Sequence, residues 1–180
     1  MADTTLSSGD QTQDFGLKDP VQITGSTTPQ LAQGIVCGKW NLAFNFDWAR
    51  QIVENFELVS LPRAPGWVLG AVNINGAIVP VVDLSNYFSE NVEPAQAERG
   101  QRLLVGGIQA EDAEAALAVV FGHTPVQLDY STKPINDVET LPPRLREVCI
   151  GLAHDGSGKE YLEINAGRLL DALSIELSAI

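Results

Sequence analysis

The sequence has few of the side chains that bind metals or perform nucleophilic catalysis. Its 180 residues include two cysteines, Cys37 and Cys149, and two histidines, His123 and His154. Each cysteine lies in an apolar, strand-like stretch with no partner at metal-binding spacing, and the histidines form neither a helical pair nor a Cys/His cluster. We therefore predict buried, reduced thiols, no metal site and no cofactor.

Basic residues and long apolar runs are also scarce. Lys and Arg number 11 against 23 Asp and Glu, and this net charge of -12 repels the phosphates of nucleic acids and anionic membranes. No stretch approaches the roughly 18 consecutive apolar residues of a membrane span, and the first residues lack the basic head and apolar core of a signal peptide. We expect a cytoplasmic protein with no nucleic-acid partner.

Catalytic motifs are missing too. The stretch DGSGKE resembles a phosphate-binding loop, but Lys159 is followed by Glu160 where that loop requires Ser or Thr. Ser60 and Ser85 lack the Gly-x-Ser-x-Gly pattern of a hydrolase nucleophile, and His123 has no acid at a recognisable spacing. We predict no catalytic residue. A hydrolase that uses His123 and the acidic residues between Glu90 and Glu114 is the weaker alternative to a solvated acidic surface.

What the sequence does contain is strand-like texture. Residues 1–30 are polar and have no apolar period, which predicts a disordered tail before a folded domain over residues 31–178. Residues 34–46 alternate branched and aromatic side chains around a Gly-Lys pair, which predicts a hairpin or two short strands. Residues 47–56 place apolar side chains four apart behind Asp47, which predicts one or two helical turns with Asp47 as N-cap.

The stretch VNINGAIVPVVDL (72–84) predicts a second β-hairpin. Asn75 and Gly76 tolerate the positive φ that a two-residue turn requires. Pro80 cannot donate to a strand ladder, so we expect it at an edge, a bulge or a barrel corner. Asp83 is expected to begin the next helical turn.

A weak internal repeat suggests two related β units. Residues 67–88 and 148–170 each contain a strand with a Gly, an Asn-Gly or Asp-Gly turn, a return strand and a Leu- or Phe-containing helical turn. Further strands are predicted over residues 102–108, 115–122 and 125–130, and the C-terminal helix has one apolar face of Leu169, Leu170 and Leu173. Many short strands with Gly and Pro turns are typical of barrels or sandwiches.

The stretch LPRAPGWVLGAVNINGAIVPVVDLSNYF (61–88) strongly resembles the signature of the CheW-like adaptor family, and weaker similarity extends over about residues 34–175. The residues that follow the family pattern without a gap are Leu61, Pro62, Pro65, Gly70, Val72, Asn73, Gly76, Pro80, Val81, Asp83 and Leu84.

This resemblance implies an all-β fold with short helices, built from two pseudo-symmetric five-stranded SH3-like β-barrels. It also implies a non-enzymatic adaptor that couples chemoreceptor-type proteins to a CheA-like histidine kinase in a chemotaxis or chemosensory two-component pathway. The groove between the barrels would face the receptor's cytoplasmic helical hairpin, exposed barrel faces would meet the kinase regulatory domain, and membrane association would be indirect, through receptors. The partner-binding residues that the resemblance implies are Gln51, Ile52, Ile74, Asn75 and Val126, of which Val126 is expected to be an exposed apolar position.

Two departures from the family pattern concern partner choice. The family usually has Arg where Asn75 stands and Glu where Gln51 stands, so both members of an ion pair are neutral here. If the two residues face each other, an amide pair replaces the charge pair without leaving a buried charge unpaired. In the second barrel the usual Val-Asp-x-Val step is also weak, with Phe121, Gly122 and His123 in its place. A type IV pilus pathway and an array-blocking scaffold therefore remain alternatives to flagellar chemotaxis.

Overall fold

The structure is a computed structural model that describes residues 30–89, 100–107, 116–130, 135 and 138–178. The strands in this part of the chain are β1 (Gln30–Cys37), β2 (Trp40–Asn45), β3 (Ala49–Val53), β4 (Val68–Ile74), β5 (Ala77–Val82), β6 (Arg102–Gly106), β7 (Leu117–Phe121), β8 (Val126–Tyr130), β9 (Cys149–His154) and β10 (Glu160–Ile164). Among the described residues, the helices are α1 (Leu84–Tyr87), α2 (Pro143–Val148) and α3 (Ala166–Ser178), and a 3-10 turn spans Val138–Thr140.

The strands form two five-stranded sheets. The sheet of the first barrel has the order β3-β6-β7-β5-β4, and that of the second barrel has the order β8-β1-β2-β10-β9. In the first barrel the chain leaving β3 reaches β4, where the N–H groups of Val59 and Ala71 each donate to the other's carbonyl at 2.8 Å. In the second barrel the edge strands β8 and β9 lie in contact. The predicted all-β fold with short helices and two five-stranded barrels is confirmed.

The two barrels repeat one arrangement. In each, a hairpin (β4–β5 or β9–β10) is followed by a helix, and its second strand pairs in parallel with another strand, β5 with β7 and β10 with β2. The first strand of each hairpin also has one residue out of register, Leu69 in β4 and Ile150 in β9. The pseudo-symmetry predicted from the weak repeat is therefore confirmed. Because β1 and β2 stand in the second barrel where β6 and β7 stand in the first, both ends of the described chain build the second barrel.

Each barrel has its own apolar cluster, and a third cluster joins them. The first-barrel cluster includes Val79 and Leu103, and the second-barrel cluster includes Leu128 and Tyr161. The shared core draws side chains from both sheets and from all three helices, among them Ile35, Leu42, Phe44, Leu104, Val119, Phe121, Tyr87, Leu145 and Leu169. Both cysteines are free and buried, as predicted, and burial raises the pKa of each thiol.

Both predicted hairpins are present. Asn75 and Gly76 have φ values of 52° and 92°, and the Asn73 side chain accepts a hydrogen bond from the Gly76 N–H at 2.8 Å. This geometry fits a two-residue turn that matches the twist of the strands. Pro80 lies opposite Ala71 in β4. The short parallel ladder between β5 and β7 begins one residue later, so at Pro80 strand β5 is paired only with β4, and the missing N–H of proline falls at this position.

The helix predicted over residues 47–56 is wrong, because this segment contains strand β3. Asp47 is not an N-cap: its backbone N–H donates to the Asn45 side chain at 2.7 Å in a tight turn that leads into the strand. Ile52 and Val53 then pair with β6. Trp48 lies directly over Gly106, where any side chain would collide with the indole. Pairing with a distant strand therefore outweighs the local four-residue spacing.

Some predictions fall outside the described residues. These include the acidic loop after α1 and the tail predicted over 1–30, apart from Gln30, which begins β1. In the described part of the chain, no helix is long and apolar enough to cross a membrane.

Candidate functional site

An apolar groove of about 350 Å³ lies where the first barrel meets α3. One wall is the loop that precedes β4, the floor comes from the strands and Trp67, and the opposite wall is α3. Because α3 follows the last strand of the second barrel, the groove lies at the junction of the two barrels. Leu61 and Leu177 on its rims are each 43% exposed, so apolar surface on both walls is open to solvent.

The loop wall has its shape because of two prolines. Pro62 and Pro65 restrict φ and prevent a helix, and Arg63 between them has a φ of 60°. The Pro65 carbonyl accepts a hydrogen bond from the Val68 N–H at 2.9 Å, which turns the chain into β4. Trp67 is buried and meets the Tyr87 ring edge to face at 5.1 Å. The loop is thereby fixed to α1 below the groove.

The helical wall follows from a four-residue spacing. Asn165 is the N-cap that precedes α3, and its side-chain oxygen accepts a hydrogen bond from the Arg168 N–H at 3.0 Å. Leu169 and Leu173 are buried in the shared core, and Leu177 continues the same face into the groove. This spacing is visible in the sequence, but the predicted apolar face ended at Leu173 and did not include Leu177.

Three side chains from three helices form a cluster that we call the three-helix clamp: Tyr87, Arg144 and Glu176. The Arg144 guanidinium donates to the Glu176 carboxylate at 2.7 Å and to the Tyr87 carbonyl at 2.9 Å, and it lies 4.8 Å from the centroid of the Tyr87 ring. The Tyr87 hydroxyl also donates to Glu176, at 3.3 Å. Burial first, and then the neighbouring Glu176 charge, raises the pKa of Tyr87 to about 12. Sequence patterns did not identify this cluster, because its members lie far apart along the chain.

Apolar surface continues from the groove over the first barrel. Val59, Ala71 and Pro80 are paired in register across three strand segments, and Pro80 also lines the groove. Val59 is 65% exposed, and Ile78, which shares the face of Pro80, is 70% exposed. Val59 and Ile78 therefore leave two large apolar side chains open to solvent on one face of the first barrel.

The residues implied to bind partners differ in how exposed they are. Asn75 is exposed at the hairpin turn, whereas Ile74 is buried in the first-barrel cluster beside a second groove of about 540 Å³. Gln51 and Ile52 are half-buried on β3, whose last residue, Val53, lines that same groove, and no hydrogen bond joins Gln51 to Asn75 among the described residues. Their roles stay predictions.

The expectation that Val126 is an exposed apolar position is wrong. Val126 is half-buried and packs on the second-barrel cluster. Its Cγ2 would lie 2.7 Å from a Cβ added at Gly34, so the missing side chain of Gly34 makes room for it. The strand pairing of β8 with β1 therefore turns this residue toward the barrel.

Within the described ranges, no three His, Cys, Asp or Glu side chains are grouped as metal ligands. His123 is exposed, and both cysteine thiols are buried, which raises their pKa.

Comparisons with known proteins agree with this description. The family model of the CheW-like domain matches residues 34–174. The crystal structure of the scaffolding protein TtCheW from Thermoanaerobacter tengcongensis is similar, with a TM-score of 0.57 and 18% sequence identity, covering 76% of this chain and 84% of that one. Among curated proteins, no sequence matches the chain.

Proposed function

Since the chain belongs to the CheW-like domain family, we propose that it is a non-enzymatic cytoplasmic adaptor that couples a chemoreceptor-type protein to a CheA-like histidine kinase. The observation that carries the proposal is the apolar groove at the barrel junction. It presents exposed Leu61 and Leu177 on opposite walls, above the buried Trp67.

The groove is suited to an α-helix of the receptor's cytoplasmic hairpin. An amphipathic helix binds a groove through apolar side chains spaced three or four residues apart, and the two leucine-bearing walls offer contacts to such a stripe. Burial of Leu61 and Leu177 against the bound helix, over the buried Trp67, would supply most of the affinity, because a few buried side chains dominate the binding energy of most interfaces.

The kinase regulatory domain would bind a different surface. The first barrel exposes Val59 and Ile78 on its outer face and Asn75 at the tip of its hairpin. We infer that the hairpin tip contributes to the choice of partner, because Asn75 is the exposed member of the residues implied by the family resemblance. Gln51, Ile52, Ile74 and Val126 are half-buried or buried, so their influence would act through the shape of the barrel surfaces.

A binding assay with two separate partners tests the proposal. The full chain is titrated with the regulatory domain of each CheA-like kinase of the host and with the cytoplasmic hairpin of its receptors. We expect Leu177→Glu to weaken hairpin binding about tenfold or more, because it places a charge on an apolar anchor, and to leave kinase binding unchanged.

The matched control is Ile175→Glu on the same helix. Ile175 is 71% exposed and lies about 200° around the helix from Leu173, away from the groove. Hairpin binding should persist in this variant. Absence of binding to every host kinase and receptor would overturn the adaptor function.

The output pathway is a separate question with its own readout. A flagellar chemotaxis adaptor, a type IV pilus adaptor and an array-blocking scaffold differ in which kinase they bind and in whether kinase activity rises or falls in reconstituted receptor clusters. We propose coupling, so addition of the protein should raise receptor control of the kinase, whereas a blocking scaffold would abolish it.

A further inference from the structure

We propose that the three-helix clamp is a positioning device for the groove: Arg144 and Glu176, neither of which lines the groove, hold the last turn of α3 so that Leu173 and Leu177 form its wall. This inference rests on the proposed function, because the groove is the proposed receptor site. Two sets of contacts carry it.

The first set concerns the end of α3. After Leu173, the helix has no further residue in the shared core, and four of the last five residues are exposed. Glu176 is the half-buried exception. Within the described chain, it is the only residue of 174–178 whose side chain bonds to another helix, through Arg144 and the Tyr87 hydroxyl. The last turn of a helix frays when its contacts are few. The bonds of Glu176 in the clamp therefore keep this turn helical and hold the neighbouring Leu177 in the groove wall.

The second set concerns the groove floor. Arg144 holds the Tyr87 carbonyl and stacks on the Tyr87 ring, and that ring packs edge to face against Trp67. The Arg144 guanidinium therefore contacts both Glu176, on the helix that forms the wall, and Tyr87, which packs against Trp67 in the floor. Arginine suits this position because its planar guanidinium lies over the Tyr87 ring while its fixed fork of N–H groups donates to Glu176 and to the Tyr87 carbonyl, whereas lysine has no planar group.

The clamp also connects the groove to the second barrel. Arg144 lies in α2, which continues without a break into β9. A movement of β9 would therefore move the residue that holds the groove wall.

The test compares the full chain with Arg144→Met, Glu176→Gln and the double variant. Hydrogen exchange measures the amides of residues 174–178, NMR follows the indole N–H of Trp67, and titration measures affinity for the receptor hairpin and the kinase regulatory domain. In these variants we expect the conformation that keeps Leu177 in the groove wall to become a minor one. Affinity for the hairpin should then drop about tenfold, amides at the end of α3 should exchange faster, and affinity for the kinase domain should be unchanged. Because both residues act in one cluster, the double variant should lose no more affinity than the more severely affected single variant.

The matched control is Glu54→Gln, which breaks the exposed ion pair between Glu54 and Arg102 (2.9 Å). It should change neither α3 exchange nor hairpin affinity. Unchanged exchange at residues 174–178 in the clamp variants would overturn the proposal, as would unchanged hairpin affinity despite faster exchange. If the unaltered chain binds no hairpin, the receptor function fails, and the clamp is then judged by α3 exchange and the Trp67 resonance alone.

Discussion

Two glycines of the β4–β5 hairpin unit differ in what surrounds them. Gly70 has a φ of 149°, and a Cβ there would lie 2.3 Å from the Val59 carbonyl oxygen, at the bridge that closes the first barrel. Gly76 has a φ of 92°, and a Cβ there would have no neighbour within 4 Å. We expect Gly70→Ala to lower the free energy of unfolding by roughly 3 kcal/mol, because backbone strain and a backbone clash combine. Gly76→Ala should cost only about 1 kcal/mol of conformational strain.

Urea unfolding of both variants measures the difference. Equal losses would show that Val59 moves aside at little cost, and that the bridge between Val59 and Ala71 does not hold the barrel closed.

We expect Tyr87 to make the free energy of unfolding depend on pH in the alkaline range. Its pKa is raised from 10.0 to about 12 by burial and by Glu176. Between these values the unfolded chain loses the phenol proton first, so the stabilising contribution is complete below pH 10 and is lost as pH rises to about 12. We expect Tyr87→Phe to show a smaller loss of unfolding free energy over this pH range, measured by urea titrations at each pH.

The buried thiols of Cys37 and Cys149 contribute in the same direction in both proteins, because burial raises their pKa values as well. Their effect therefore cancels in the comparison. Parallel pH profiles for the two proteins would contradict the assignment of this dependence to Tyr87.

At the scale of elements, the helix that follows each hairpin begins in the same way. Asp83 and Asn165 each accept a hydrogen bond from the N–H three residues on, at 3.1 Å and 3.0 Å. Each also donates its own N–H at 2.9 Å to the residue before the hairpin, Trp67 or Val148. We expect Asp83→Ala and Asn165→Ala each to cost about 1 kcal/mol of stability, because each leaves helix donors unsatisfied.

The exchanged variants Asp83→Asn and Asn165→Asp are the controls. Both replacements keep a side-chain acceptor at the cap, so chemical denaturation should find them within a few tenths of a kcal/mol of the unaltered chain. A large loss in Asp83→Asn would instead indicate that the carboxylate charge itself is needed.

These elements also show what local sequence is able to predict. The Asn75-Gly76 hairpin and the Asp83 cap depend on the backbone preferences of a few neighbouring residues, and both predictions are confirmed. The segment 47–56 depends instead on β6, with which it pairs, and on Gly106, which makes room for Trp48. No pattern inside ten residues contains that information, so the helix prediction failed.

At the scale of the whole molecule, the groove and the clamp needed the three-dimensional arrangement. The groove joins a loop of the first barrel to a helix that follows the second, and the clamp joins three helices that are separate in sequence. The weak repeat predicted two related β units. It did not predict that β1 and β2 complete the barrel built by the last strands, because equivalent strands occur in a different chain order in the two units.

This arrangement predicts that the two barrels unfold together. The shared core takes Leu42 and Phe44 from one sheet and Leu104 and Val119 from the other. If one barrel unfolds, the other therefore loses the shared core and keeps only its own smaller cluster. Leu128 belongs to the second-barrel cluster alone, and its side chain is fully buried. We expect Leu128→Ala to cost roughly 2–5 kcal/mol through the cavity it leaves.

Hydrogen exchange of the slowest amides in both barrels measures where that loss appears. In one cooperative unit, Leu128→Ala reduces protection in the first barrel as much as in the second, because these amides exchange only through global unfolding. Leu103→Ala is the matched variant: Leu103 is also fully buried, but in the first-barrel cluster, and should reduce protection in both barrels as well. Loss confined to the altered barrel in either variant would show that the shared core does not bind the two barrels into one unit.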